Sequence, residues 1–140
     1  MSSAERRVIL EGRLEANAMR RLDGMELSRG AHFVERHGSK LSLASQYDRA
    51  AFGINPTSGA RGPIPPSATR FFSARDQLNA INRAEQIFKN TGSRTFAERQ
   101  YKFGRVIGDG YDLTYGTQNS AIVKVNGQGQ AYTAFPWFGH

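Results

Sequence analysis

Apolar positions in the first half of the chain recur at helical spacing. Val8, Ile9, Met19 and Leu22 give a modest stripe over residues 3–23, weakened by Gly12, with Gly24 as the expected stop. A short second helix is predicted over residues 29–37, ending at Gly38. A third over 42–51 opens at a capping Ser42 and closes before Gly53. The clearest helix covers 74–90. Ser73 followed three residues later by Asp76 is a capping signature, Leu78, Ile81, Ala84 and Phe88 form the apolar stripe, and Gly92 ends it.

Between the third and fourth helices lies FGINPTSGARGPIPPSATR, where Pro63, Pro65 and Pro66 forbid helix and central strand alike. A loop this long inside a small domain is expected to be functional or mobile. After Gly92 the period changes. RVIG, YDLTYGT, SAIVKVN and QAYTAFPW are β-branched or aromatic runs separated by turn residues, and Asn126-Gly127-Gln128-Gly129 reads as the hairpin connection between the last two. Helices first and antiparallel strands afterwards predict an α+β domain, with N-terminal helices packed on a twisted antiparallel sheet.

Composition narrows the chemistry. A chain of 140 residues fits one compact domain. The sequence has no cysteine, which excludes disulfides, thiolate metal sites and cysteine nucleophiles. Nineteen Lys and Arg against twelve Asp and Glu leave a net charge of +7. Only Lys40, Lys89, Lys102 and Lys124 are lysines, so arginine dominates. Guanidinium groups bind phosphate in bidentate fashion and stack on bases, so RNA is the first candidate partner and an acidic protein the second. No stretch is apolar enough to span a bilayer. The start, MSSAERRVILEGR, lacks the apolar core of a secretory signal, so secretion would be directed by sequence outside this chain.

Three histidines are present, His32, His37 and His140, the last terminal. On a helix, residues five apart turn roughly 140° beyond a full revolution, so the rings of His32 and His37 diverge and a metal site built on them is not expected. The acids of GDGYDLTYG, Asp109 and Asp112, are a weak metal signal, and its glycines suit tight turns better than a phosphate loop. A histidine on the last turn of a helix is favoured as imidazolium by the dipole, and the neighbouring Arg36 opposes this. A histidine titrating near neutrality is what phosphodiester transfer within RNA requires. Cleavage of RNA by its own 2′-hydroxyl suits such a group: a base takes the hydroxyl proton, an acid protonates the departing 5′-oxygen, and cations stabilise the dianionic transition state.

The order of segments adds a family resemblance. Gly30-x-His32-x-x-x-x-His37-Gly38 is followed by Ser67-Ala-Thr-Arg-Phe71, a capped helix, a Gly110-Tyr111 strand, an AIVKV strand and a terminal AYTAFPW. Over residues 30–137 this set resembles the bacterial ribonuclease A-like toxin domain at the C-terminus of CdiA-type contact-dependent growth inhibition proteins. The resemblance implies a ribonuclease A-like fold over 30–140, with residues 1–29 as a helical extension or tether. It also implies a metal-independent endoribonuclease, without cofactor, cutting RNA such as tRNA to a 2′,3′-cyclic phosphate. It assigns catalysis to His37, Arg49 and Thr133, with His32 and Phe135 as substrate contacts. Phe135 stands where the family carries a tyrosine, so a phenolic donor is missing there. The same resemblance implies a monomer, secreted within a larger effector, delivered into the target-cell cytoplasm and neutralised by a cognate immunity protein.

Without the resemblance these residues have ordinary readings. Thr133 is a β-branched strand residue, Arg49 a solvated or ion-paired helix residue, and Trp137 an apolar plug. The competing functional readings are a non-catalytic basic module holding RNA or an acidic protein, and a metal-dependent DNase.

Overall fold

The computed structural model describes residues 1–92 and 98–139. Helices α1 (Ser3–Arg29), α2 (Phe33–His37) and α3 (Leu43–Phe52) precede strand β1 (Ala68–Phe71) and helix α4 (Ala74–Thr91). Strands β2 (Glu98–Lys102), β3 (Gly108–Tyr111), β4 (Tyr115–Gln118), β5 (Ser120–Val125) and β6 (Ala131–Trp137) follow. The fold is α+β, but the strands form two three-stranded antiparallel sheets instead of one. Their orders are β1-β3-β4 and β2-β5-β6. A hydrogen bond from Thr69 Oγ1 to the Pro136 carbonyl, 2.7 Å, ties β1 to β6.

Helix α1 runs through Gly24 and stops at Gly30, six residues beyond the expected end. An interior glycine costs about 1 kcal/mol of helix propensity. Burial of Leu22 in the core and a left-handed cap at Gly30, φ 65°, outweigh it. Residues 1–29, expected as an extension or tether, therefore divide. Residues 1–14 are exposed, whereas Ala18, Met19 and Leu22 belong to the same core as Phe33, Phe71 and Ile81. Glu15 adds a polar anchor, its carboxylate accepting from the N–H groups of Ala74 and Arg75 at the start of α4.

The predicted 29–37 helix shortens to Phe33–His37 because the chain turns at Gly30. The capping serines Ser42 and Ser73 accept from Ser45 N and Asp76 N as their sequence signatures require. YDLTYGT is split by a turn in which Asp112 N bonds the Thr114 carbonyl, so β3 and β4 form a hairpin. Strand β2 was not anticipated from the sequence. The 52–67 stretch is no open loop. Ile54 bridges Arg61, Asn55 N donates to Ala60 O, and Gly62 N donates to Gly53 O at 2.8 Å. Gly53 has φ 70°, and a Cβ there would lie 2.2 Å from the Gly62 carbonyl oxygen, so only glycine fits.

Candidate functional site

Short helix α2 carries His37, and three neighbours hold it in place. Glu26 of α1 accepts from the N–H groups of Val34 and Glu35 at 2.9 and 3.0 Å, capping the helix start. Burial raises the Glu26 pKa above its ordinary value, against those two hydrogen bonds. Gln77 of α4, fully buried, donates from Nε2 to the carbonyls of Phe33 and Ala134. Gln46 of α3 donates to the Arg36 carbonyl. A β-bulge completes the placement. Lys124 pairs with Thr133 but Val125 with Ala131, so Tyr132 is the extra residue, and its carbonyl accepts from His32 N at 3.1 Å. The helix is thereby seated against the last strand.

On β5 and β6, directly opposed residues share a face. The pairs Lys124–Thr133, Ile122–Phe135 and Ser120–Trp137 follow from the register. Ile122, Lys124, Thr133, Phe135 and Trp137 form one wall of a cavity of about 450 Å³. Arg36 and His37 of α2, Arg49 of α3 and the Pro65–Ser67 segment form the others. His37, Arg49, Thr133 and Phe135 thus line one space. His32 does not: its ring bonds the Glu35 carboxylate at 3.1 Å and lies half exposed at the helix start. His140 falls outside the described residues. Trp137 is partly buried and lines the cavity wall.

His37 is 6% exposed, and its ring centroid sits 5.3 Å from that of Phe135. Nδ1 lies 2.8 Å from the Thr69 carbonyl oxygen. A carbonyl only accepts, so Nδ1 carries the hydrogen and Nε2 is the lone-pair nitrogen of the neutral ring. The His37 pKa is pushed down to about 3, first by burial, then by Arg49 and Arg36, with the Thr69 bond acting against them. This lies well below the near-neutral range that phosphodiester transfer requires. A five-residue helix has little dipole, and desolvation plus two guanidinium groups overwhelm it.

The arginines are equally informative. Burial, then repulsion from Arg36, lowers the Arg49 pKa to about 10, with Glu35 opposing. Arg49 Nη1 is buried without a hydrogen-bond partner. Among the described residues neither Arg36 nor Arg49 forms an ion pair, and none that lines the cavity is acidic. Glu35 offsets only part of the repulsion between the two arginines, and a desolvated guanidinium such as that of Arg49 is costly unless an anion in contact completes it. Elsewhere charge is matched: Arg70 pairs with Asp109 at 2.8 Å, and Tyr115 donates to the same carboxylate at 3.0 Å. Asp109 is therefore a structural partner. Among the described residues no three His, Asp or Glu side chains converge as metal ligands.

Several contributors escaped the sequence reading. In the sequence Arg36 stands out only as a charge beside His37. Lys124 was overlooked although it is the sole charge in SAIVKV, alternating with Ile122 away from buried Ala121, Val123 and Val125. Thr69 and Gln77 carry no local signal. No family model, curated protein or solved structure matches the chain. Among the described residues no helix is long and apolar enough to cross a membrane.

Proposed function

We propose that this chain is an endoribonuclease that cuts RNA by attack of the 2′-hydroxyl on the adjacent phosphorus, leaving a 2′,3′-cyclic phosphate. One observation carries the proposal: a neutral, tautomer-fixed imidazole shares a cavity with two arginines that form no ion pair among the described residues, one of them with a buried Nη1 that has no hydrogen-bond partner. The scissile phosphate supplies an anion for them. His37 Nε2 accepts the 2′-hydroxyl proton while Arg36, Arg49 and the Thr133 hydroxyl hold the phosphoryl oxygens. The P–O5′ bond breaks as the P–O2′ bond forms. Protons for the departing oxygen are held by Lys124 and by Arg49, which burial has made as acidic as an ammonium group. Phe135 and Trp137 offer ring faces for a base. The nucleophile belongs to the substrate, so this route calls for no metal ion.

Phosphate also remedies the weakness of His37 as a base. An anion beside the ring offsets the field of the two guanidinium groups and raises the imidazole pKa towards the working range. The resemblance extends the proposal: a ribonuclease A-like toxin domain of CdiA type, delivered into competitor cells and blocked by an immunity protein with an acidic contact surface. The low basicity of His37 favours a second reading, a non-catalytic basic module that grips RNA or an acidic protein. Incubating the chain with RNA in EDTA separates the two. Oligonucleotides ending in 2′,3′-cyclic phosphate, lost in His37→Ala, support the enzyme. RNA that stays intact while tightly bound refutes it in favour of the module.

A further inference from the structure

A second cavity, of about 550 Å³, adjoins the first and shares Arg36, Arg49, Pro65 and Pro66 with it. Its remaining walls include Gly53, Gly62, Ile64 and Arg61. No aromatic residue and no acid lines it among the described residues. Its cationic content therefore suits a phosphate, and it offers no ring on which to stack a base.

Arg61 is exposed, yet its backbone is fixed. The hairpin that carries it closes through the Ile54–Arg61 bridge and the Gly53–Gly62 contact. Its tip is tied to α2, because Thr57 Oγ1 donates to the Glu35 carbonyl at 2.8 Å and Asn55 Nδ2 donates to the Glu35 carboxylate. The Asn55 side chain in turn accepts from the N–H groups of Thr57 and Ser58, both at 2.9 Å. So many bonds on a short segment hold Arg61 beside the arginine pair without ordering a loop at the moment of binding. Arg49, whose buried Nη1 has no hydrogen-bond partner, is common to the walls of both cavities.

We infer that this second cavity is a subsite for a neighbouring phosphate, so that the partner is a single RNA strand held by consecutive phosphates, one on each side of the Pro65–Pro66 segment. The inference rests on the endoribonuclease reading for the identity of the strand and adds where that strand runs. Concave cavities of this size take an extended strand, whereas the phosphates of a duplex lie on a convex surface. Contacts in the second subsite reach only the backbone, so they add affinity without adding sequence preference.

Non-cleavable probes make the test independent of catalysis. A 2′-fluoro dinucleotide has one phosphodiester and a 2′-fluoro tetranucleotide has three, and neither has a nucleophile. Fluorescence anisotropy of both is measured against wild type and Arg61→Ala over a range of salt. Tighter binding of the tetranucleotide to wild type is expected. Arg61→Ala should narrow its advantage over the dinucleotide roughly tenfold, the scale of one charge-assisted contact. The slope of log affinity against log salt should shrink by about 0.7 for the longer probe. An unchanged affinity ratio and slope in the variant would overturn the subsite. So would equal affinity of wild type for both probes. Failure of RNA cleavage in EDTA would remove the enzyme reading and leave this binding result to be judged by itself.

Discussion

Replacing His37 by glutamine should change how stability depends on pH, by an amount that the site geometry specifies. Glutamine keeps an N–H for the Thr69 carbonyl but does not titrate. In the folded protein the imidazole holds its proton only below about pH 3, against an ordinary value of 6.5. Between those values the unfolded chain binds more protons than the folded one, so the native state loses stability as pH falls. Above 6.5 both states are deprotonated and the group contributes nothing. Lowering the pH from 7 to 5 should cost wild type about 2 kcal/mol more than His37→Gln. Carboxylates such as Glu26 titrate in both proteins and cancel in the difference. Urea unfolding followed by far-ultraviolet circular dichroism at pH 7, 6 and 5 gives the two curves. Phosphate and sulfate must be absent, because an anion on the arginine pair would let the native imidazole protonate. Parallel curves would show that His37 is as well solvated as an ordinary histidine. The description of a desolvated cationic cavity would then fail.

Two further outcomes follow from the same electrostatics. Arg49→Met should lower kcat/KM roughly 100- to 1000-fold, the scale for removing one stabilising donor, while raising the melting temperature, since it removes a desolvated charge beside Arg36; steady-state kinetics and calorimetry on one preparation check both signs. The acid limb of kcat should lie at higher pH than that of kcat/KM, because kcat/KM reports free enzyme with His37 near 3 and kcat reports the complex in which bound phosphate has raised it; coincident limbs would refute that coupling.

Much of the local architecture is legible in the residues. Ser42 and Ser73 announce helix starts, Gly92 an end, and the alternation through AYTAFPW puts Thr133 and Phe135 on one face. These signals act within four or five residues, so the sequence carries them openly. The arginine-rich charge is equally plain, and it directs attention to polyanions before any fold is known.

Tertiary structure decided what depends on burial and on distant partners. Gly24 and Gly30 look alike locally; packing of Leu22 and the turn into α2 chose Gly30. The glycine- and proline-rich stretch after α3 reads as a long loop, but side-chain bonds from Asn55 and Thr57 to α2 and the backbone bond between Gly62 and Gly53 make it a fixed wall. Most of all, nothing near His37 in sequence states that Thr69 fixes its tautomer or that the charge of Arg49 acts on it. Helix caps and strand alternation are short-range properties of the chain. Desolvation, and hence the charge state of an imidazole or guanidinium, is set by every element that closes around it.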